Sequence, residues 1–275
     1  MAACAGPLRR LEPDQVGEAA ALAAAAFMHS ASYAYIYEGL GEAERLGALT
    51  WLFEINIRLR LHQGGARCAF GADGAMQCFF MLQPPGAPEI GTLMMLRHGM
   101  LRFPLRFGWQ ALRRLLAVKA YHERAEAAAR RRCGPDETVA LLERMVVRPG
   151  VQGGGVGSRC LGAALEEASA AGHTVLLSTQ SARNVKFYRR LGFAEWARDD
   201  GYFSAGGPAG PPQTNWVLAR RADAYRQAPR LEAGDAGEAG AALGGAACLV
   251  LLLPAMLLLA ALLAHPPAEG EGGAR

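Results

Sequence analysis

Two short runs in the chain bring together residue types that can do chemistry. The first is MVVRPGVQGGGVGSRCL, from Met145 to Leu161, in which a strand-like stretch turns into a helix through Gln152, Gly153, Gly154, Gly155, Val156, Gly157 and Ser158. Glycines there allow positive φ and let the backbone come close to a bulky anion. N–H groups at the start of the helix, backed by its partial positive charge, suit a phosphate or pyrophosphate. The run lacks the Gly-Lys-Ser/Thr of a P-loop, and no strand ending in an acid follows about 20 residues later as in dinucleotide folds. A glycine-rich loop without a ligand is the plainer alternative. The second run is NVKFYRRLGF, from Asn184 to Phe193, directly after the strand-like TVLLSTQ. Asn184 and Tyr188 are one helical turn apart and share a face. Asn184 can hydrogen-bond a ligand amide or cap its helix, and a tyrosine hydroxyl can donate a proton to a leaving group. On the strand before the glycines, period-2 alternation puts Glu143 on the face of Met145 and Val147, where a carboxylate can act as a base. Its plainer role is an ion pair with an arginine.

The surrounding pattern is that of an α/β domain. Leu8–Leu11 reads as a short strand, and Asp14–Met28 as an amphipathic helix with Asp14 at its N-cap. Gly41–Arg60 reads as a second helix. Cys68–Phe70 and Met76–Leu82 form a hairpin across GADG, and QPPGAP is a loop. Thr138–Val147 is a strand, Gly153–Ala171 a helix, Thr174–Thr179 a strand and Ala182–Leu191 a helix stopped by Gly192. Phe193–Trp196 and Thr214–Leu218 close the domain, with SAGGPAGPPQ looping between them.

The chain has 275 residues, is 51% hydrophobic and 20% charged, and carries a formal charge of +4. That supports one full core and excludes a globally disordered chain. Its 34 glycines and 15 prolines stay below the low-complexity range of roughly 25–30%. The six cysteines, Cys4, Cys68, Cys78, Cys133, Cys160 and Cys248, form no CxxC pair and have no zinc spacing. They read as reduced thiols facing a cytoplasmic environment, and no metal site is expected. His62, His98 and His122 take no role, and His173 reads as a surface loop residue.

MAACAGPLRRLEPD has no apolar core before Arg9 and Arg10, so no signal peptide is expected. Leu243 to Ala264 runs without a charge. At about 1.5 Å per residue it is long enough to cross a bilayer core of about 30 Å. Pro254 is tolerated in a membrane helix, and Arg220, Arg221, Arg226 and Arg230 on its N-terminal flank keep the domain on the cytoplasmic side. A buried helix or an apolar tail is the alternative. The organisation expected is a domain over 1–222, a linker over 223–240, a candidate transmembrane helix over 241–265 and a polar tail over 266–275.

Between Arg97 and Arg132, ten Lys and Arg face only Glu123 and Glu126, interleaved with Leu101, Phe103, Leu105, Phe107, Trp109, Leu112, Leu115 and Leu116. The simplest reading is a solvated helix packed through its apolar side. A lid or membrane-surface element contacting anionic headgroups is a sharper one, and an RNA-binding face a third.

The order strand, V-x-P-x-x-Q-G-x-G-x-G, helix, strand, N-x-x-F-Y-x-x-x-G-F resembles the GNAT superfamily of N-acetyltransferases. The likeness covers Leu8 to about Ala222 and is strongest from Leu141 to Phe193. WVLAR near the end is similar to a GNAT branch that shares the Arg/Leu-rich middle segment. Where that branch's strand carries a His-Trp-Tyr run, this chain reads Val139, Ala140, Leu141. The resemblance implies a mixed, mostly antiparallel splayed sheet flanked by helices, to which the sequence adds the C-terminal hydrophobic helix. It implies that acetyl-CoA lies in the gap between two central strands. Met145, Val146 and Val147 would pair with the pantetheine arm, the amides from Gln152 to Ser158 would hold the pyrophosphate, and Asn184 and Tyr188 would contact the cofactor.

The expected activity is acetyl-CoA-dependent transfer of an acetyl group to a primary amine by direct attack on the thioester. Tyr188 is the expected general acid and Glu143 the candidate base. The acceptor is a small-molecule or peptide amine, and no specific nucleic acid is expected as a partner. A non-catalytic acyl-CoA sensor, or a membrane- or RNA-surface protein acting through residues 97–132, are the alternatives.

Overall fold

The computed structural model describes residues 6–88, 90, 92–203 and 213–222. The segment Leu243–Ala264, with the linker and tail around it, lies outside the described residues. Among the described residues no helix is long and apolar enough to cross a membrane. The fold expectation is met for the mixed, splayed sheet with helices on its faces. The hydrophobic C-terminal helix is not part of what the structure supports.

In chain order the elements are β1 (Arg9–Arg10), α1 (Val16–Phe27), α2 (Ala31–Ile36), α3 (Glu42–Leu61), β2 (Ala66–Phe70), β3 (Met76–Gln83), α4 (Thr92–Arg97) and α5 (Arg102–Arg130). There follow β4 (Val139–Val147), α6 (Val156–Ala170), β5 (Thr174–Thr179), α7 (Ala182–Arg190), β6 (Ala194–Tyr202) and β7 (Gln213–Arg220). Asp14 does not cap the first helix. A single 3₁₀ turn, Pro13–Gln15, precedes α1, and its entry is tied by the Glu12 N–H donating to Gln15 Oε1 at 3.1 Å. The strand expected at Phe193–Trp196 continues to Tyr202, because antiparallel pairing with β7 runs from Ala194 to Tyr202, with irregularities after Glu195 and Asp199.

The sheet order is β1-β2-β3-β4-β5-β7-β6, antiparallel throughout except where β4 meets β5. That parallel seam pairs Val139 with Thr174, Ala140 with Val175 and Leu141 with Leu176, and then ends. Past Leu141, β4 is paired with β3 alone, so the sheet opens into a V between β4 and β5.

A small cluster of Ala129, Val139, Leu176, Val217 and Ala219 lies under the end of α5, and two larger cores fill the faces. On one, α1 and α3 pack over β2 and β3 through Phe27, Leu49, Phe53, Phe79 and Val146. On the other, α6 and α7 pack through Val156, Leu161, Phe187 and Tyr188 against Met145 and Val147. The basic segment is α5, kinked at Gly108, whose φ of 83° and ψ of 158° are open to glycine alone at little cost. It buries Phe103, Leu112, Leu115 and Val118. Its cations are largely engaged: Arg114 pairs with Glu38, Lys119 with Glu123 and Arg130 with Glu126, and Arg106 lies 5.7 Å over the Trp51 ring. The packed-helix reading of this segment fits these contacts best.

Candidate active site

The glycine run forms a turn with positive φ at Gly150, Gly153 and Gly155, and α6 starts directly after it. Gly155 at the N-cap has a φ of 75° and offers no side chain to the first amides of the helix. Those N–H groups are therefore open to an external acceptor, with the helix dipole behind them. Gln152 does more than lend its amide: its Nε2 donates to the Val147 carbonyl at 2.9 Å and ties the turn to the end of β4. Gly157 sits where α6 crosses β4. A Cβ there would lie 3.0 Å from Val147 Cγ2 and 3.4 Å from Met145 Cε, so an added methyl would press on both side chains.

Ser181, not Asn184, is the N-cap of α7. Asn184 is buried in the first turn, and its Nδ2 donates to Thr179 Oγ1 at 3.3 Å, linking the helix to the end of β5. Tyr188 follows one turn later, buried against Phe187 and Phe193 with ring centroids 5.2 and 5.5 Å away. Burial, with the Cys78 thiol beside it, pushes its hydroxyl far above the ordinary tyrosine range, so the proton stays on at any working pH. Met145, Val146 and Val147 thus lie on one arm of the V, β4, while Asn184 and Tyr188 lie on α7, the helix that follows the other arm, β5.

Glu143 departs from the expected alternation. Between the Phe79–Val146 and Met81–Glu143 pairs, β3 contributes one residue and β4 contributes two, Arg144 and Met145. This is a bulge, and Arg144 takes it up at a φ of 52°. The inserted residue reverses the face. Met145 and Val147 point to α6 and α7, while Arg144 turns towards α3, with its guanidinium 3.3 Å from Asn56 Oδ1 and 5.8 Å over Phe53. Glu143 is fully buried and ion-paired to Arg144 through Oε2, while Oε1 has no partner. Burial raises its pKa, opposed by the charges of Arg144 and Arg60.

On that same face α5 roofs the opening of the V. A small gap of about 20 Å³ lies between His122 and Glu126 of α5 and Leu142, Leu177 and Ser178, the first residues beyond the paired seam. The His122 Nε2 is 2.6 Å from the Tyr202 hydroxyl, and Nδ1 is buried without a partner. Burial lowers the His122 pKa from about 6.5 to about 3, which keeps the ring neutral. The sequence reading gave no role to His122 or Glu126. Their i, i+4 spacing was visible, but not that this helix would lie across the seam. Among the described residues no group of three or more His, Cys, Asp or Glu is placed to hold a metal ion.

The fold has known counterparts. It is similar to a histone acetyltransferase HPA2 and related acetyltransferase from Corynebacterium glutamicum, at 14% identity and a TM-score of 0.52, over 79% of this chain and 97% of that one. It is equally similar to arylalkylamine N-acetyltransferase 2 from Aedes aegypti, at 12% identity and a TM-score of 0.52, over 78% and 98%. No curated protein matches the chain in sequence. Residues 114–195, from the middle of α5 to the start of β6, match the model of an acetyltransferase (GNAT) domain. The split seam and the glycine corner both fall within the residues that this GNAT model matches.

Proposed function

We propose that the protein transfers an acetyl group from acetyl-CoA to a primary amine. The observation that carries this reading is the juxtaposition of an unpaired β4 edge with an uncapped α6 N-terminus set behind three positive-φ glycines. The first suits an extended pantetheine arm lying as an added strand along Met145, Val146 and Val147. The second suits a diphosphate bound by the amides from Gln152 to Ser158. Asn184 lies at the opposite arm, where its amide meets the cofactor.

The chemistry needs three proton movements. The acceptor ammonium gives one proton to a base, and the free amine attacks the thioester carbonyl to form a C–N bond. The oxyanion so formed needs a donor, which a β4 N–H near Val147 supplies. Collapse breaks the C–S bond, and the thiolate takes the Tyr188 proton. The tyrosinate recovers a proton from the former ammonium nitrogen, so the products are amide, free CoA thiol and one proton. Glu143, through its unpartnered Oε1, is the candidate base.

Calorimetry of acetyl-CoA on the purified protein, followed by thiol release with an amine panel, tests this. Tyr188→Phe keeps the ring packing and should lower kcat by about 10²-fold or more while leaving acetyl-CoA affinity unchanged. Binding of acetyl-CoA with no turnover of any amine would favour a sensor instead, and no binding would remove both readings. We also propose, from the uncharged run Leu243–Ala264, that the chain is membrane-anchored at its C-terminus with this domain in the cytoplasm, over the boundaries 1–222, 223–240, 241–265 and 266–275. Release of the full chain from membranes by alkaline carbonate would overturn the anchor.

A further inference from the structure

A second, larger cleft of about 280 Å³ opens on the same face as the gap, between the C-terminal end of α3, the loop from Pro84 to Pro88 and the last turns of α5. It is at the small end of ligand pockets, which run from roughly 300 to 1,000 Å³. Glu126 and Leu141 line both this cleft and the gap beneath α5, so the two adjoin at the point where β4 and β5 part. Anything held in the cleft is therefore next to the site at which a thioester in the V would be attacked.

The lining has a defined chemistry. Arg60 and Arg130 contribute two guanidinium groups and Glu126 one carboxylate. Glu126 and Arg130 are paired at 2.7 Å, and Arg60 donates to Asn56 Oδ1 at 3.2 Å. Behind the cleft, Glu143 and Arg144 neutralise one another. Among the described residues the set carries an excess of positive charge, which disfavours a polycationic amine and favours a ligand with its own anionic group. Two further atoms lack partners among the described residues. Gln63 is fixed in orientation because its Nε2 donates to the Pro88 carbonyl at 2.8 Å, which leaves Oε1 as a free acceptor. Gln83 leaves Nε2 as a free donor. A buried polar atom without a partner is costly, and a ligand with both a donor and an acceptor would satisfy both.

We propose that this cleft is the acyl-acceptor pocket, and that the acceptor is a small primary amine bearing a carboxylate, of the amino-acid class. The ammonium end lies towards Glu126 and the gap. The carboxylate lies towards Arg130 and Arg60, with Gln83 donating to it. This inference rests on the acetyl-transfer reading for its chemistry, but the pocket is testable without transfer.

The experiment uses the full-length protein with and without saturating CoA. Calorimetry and acetyl-transfer assays compare phenylalanine, glutamate and β-alanine with their methyl esters and decarboxylated counterparts, and with a C-terminally amidated peptide. The probed variant is Arg130→Gln, at a partly exposed position whose loss leaves the core intact, with Gln63→Met as a second. The expected result is that at least one carboxylated amine binds tenfold or more tightly than its ester, and that Arg130→Gln removes this preference while acetyl-CoA affinity stays within twofold. Carboxylate-dependent binding that Arg130→Gln abolishes, without turnover of any amine, keeps the pocket and rejects the transfer reading. Esters, decarboxylated amines or the peptide serving as well as the free acids overturns the pocket's specificity, even if transfer is confirmed. A preference for the acids that survives both variants places the acceptor elsewhere, and absence of binding by every carboxylated amine overturns the pocket outright.

Discussion

Gly157 and Tyr188 hold the two most exacting positions in the site, for opposite reasons. Tyr188 is exacting in the proposed mechanism because of the proton it would give up, and Phe at that position removes the hydroxyl alone. Gly157 is exacting because α6 and β4 approach so closely there that an added methyl would meet Val147 at 3.0 Å. Gly157→Ala would set a methyl group 3.0 Å from Val147 Cγ2, so the Val147 side chain or α6 must give by a few tenths of an ångström. Overpacking of this kind costs about 1–3 kcal/mol, and a shift of α6 would also move the amides proposed to hold the diphosphate. The expected outcome is a lowered Tm together with a KM for acetyl-CoA raised by about tenfold. A lowered Tm with unchanged KM would mean that the glycine serves packing only. Glu143 shows the limit of reading residues by periodicity. Its type and neighbourhood were visible, but a single inserted residue at Arg144 turned it to the other face, and nothing in the local sequence LLERMVV marks the bulge.

At the scale of elements, the strand–turn–helix around the glycines and the strand–helix at Asn184 were legible because each carries its own local signals. Glycine, capping residues and short apolar runs specify them with little help from the rest of the chain. The roof over the seam was not legible, since where α5 lies depends on packing at long range. One tie of that kind is the His122–Tyr202 bond between α5 and the end of β6. In the unfolded chain the imidazole takes up a proton below about 6.5, whereas in the fold it does so only near 3. The unfolded state thus binds a proton that the folded state refuses. The stability is present above about 6.5 and is lost as pH falls towards 3. Thermal unfolding followed from pH 7.5 to 4.5 should show a steep loss of Tm in the native protein and a shallower one in His122→Gln. Parallel slopes would assign the acid sensitivity to other groups.

Over the whole molecule, the order of the sheet places two antiparallel blocks side by side, β1–β4 and β5–β7, joined within the sheet only through Val139, Ala140 and Leu141 on one side and Thr174, Val175 and Leu176 on the other. The alternation of strands and helices made this class of fold readable from the sequence. The shortness of the seam was not readable, because it is set by the divergence of two strands that are each complete in themselves.

That short seam makes the missing rungs of the ladder a mechanical matter as well as a chemical one. A ligand lying along β4 would bridge the two leaves where the ladder lacks rungs, so occupancy and rigidity should rise together. Amide hydrogen exchange offers a direct view: residues 142–147 and 177–179 should exchange more slowly under saturating acetyl-CoA, by a larger factor than the amides of β2. Equal slowing in both places would mean that the leaves were already locked before the co-substrate arrived.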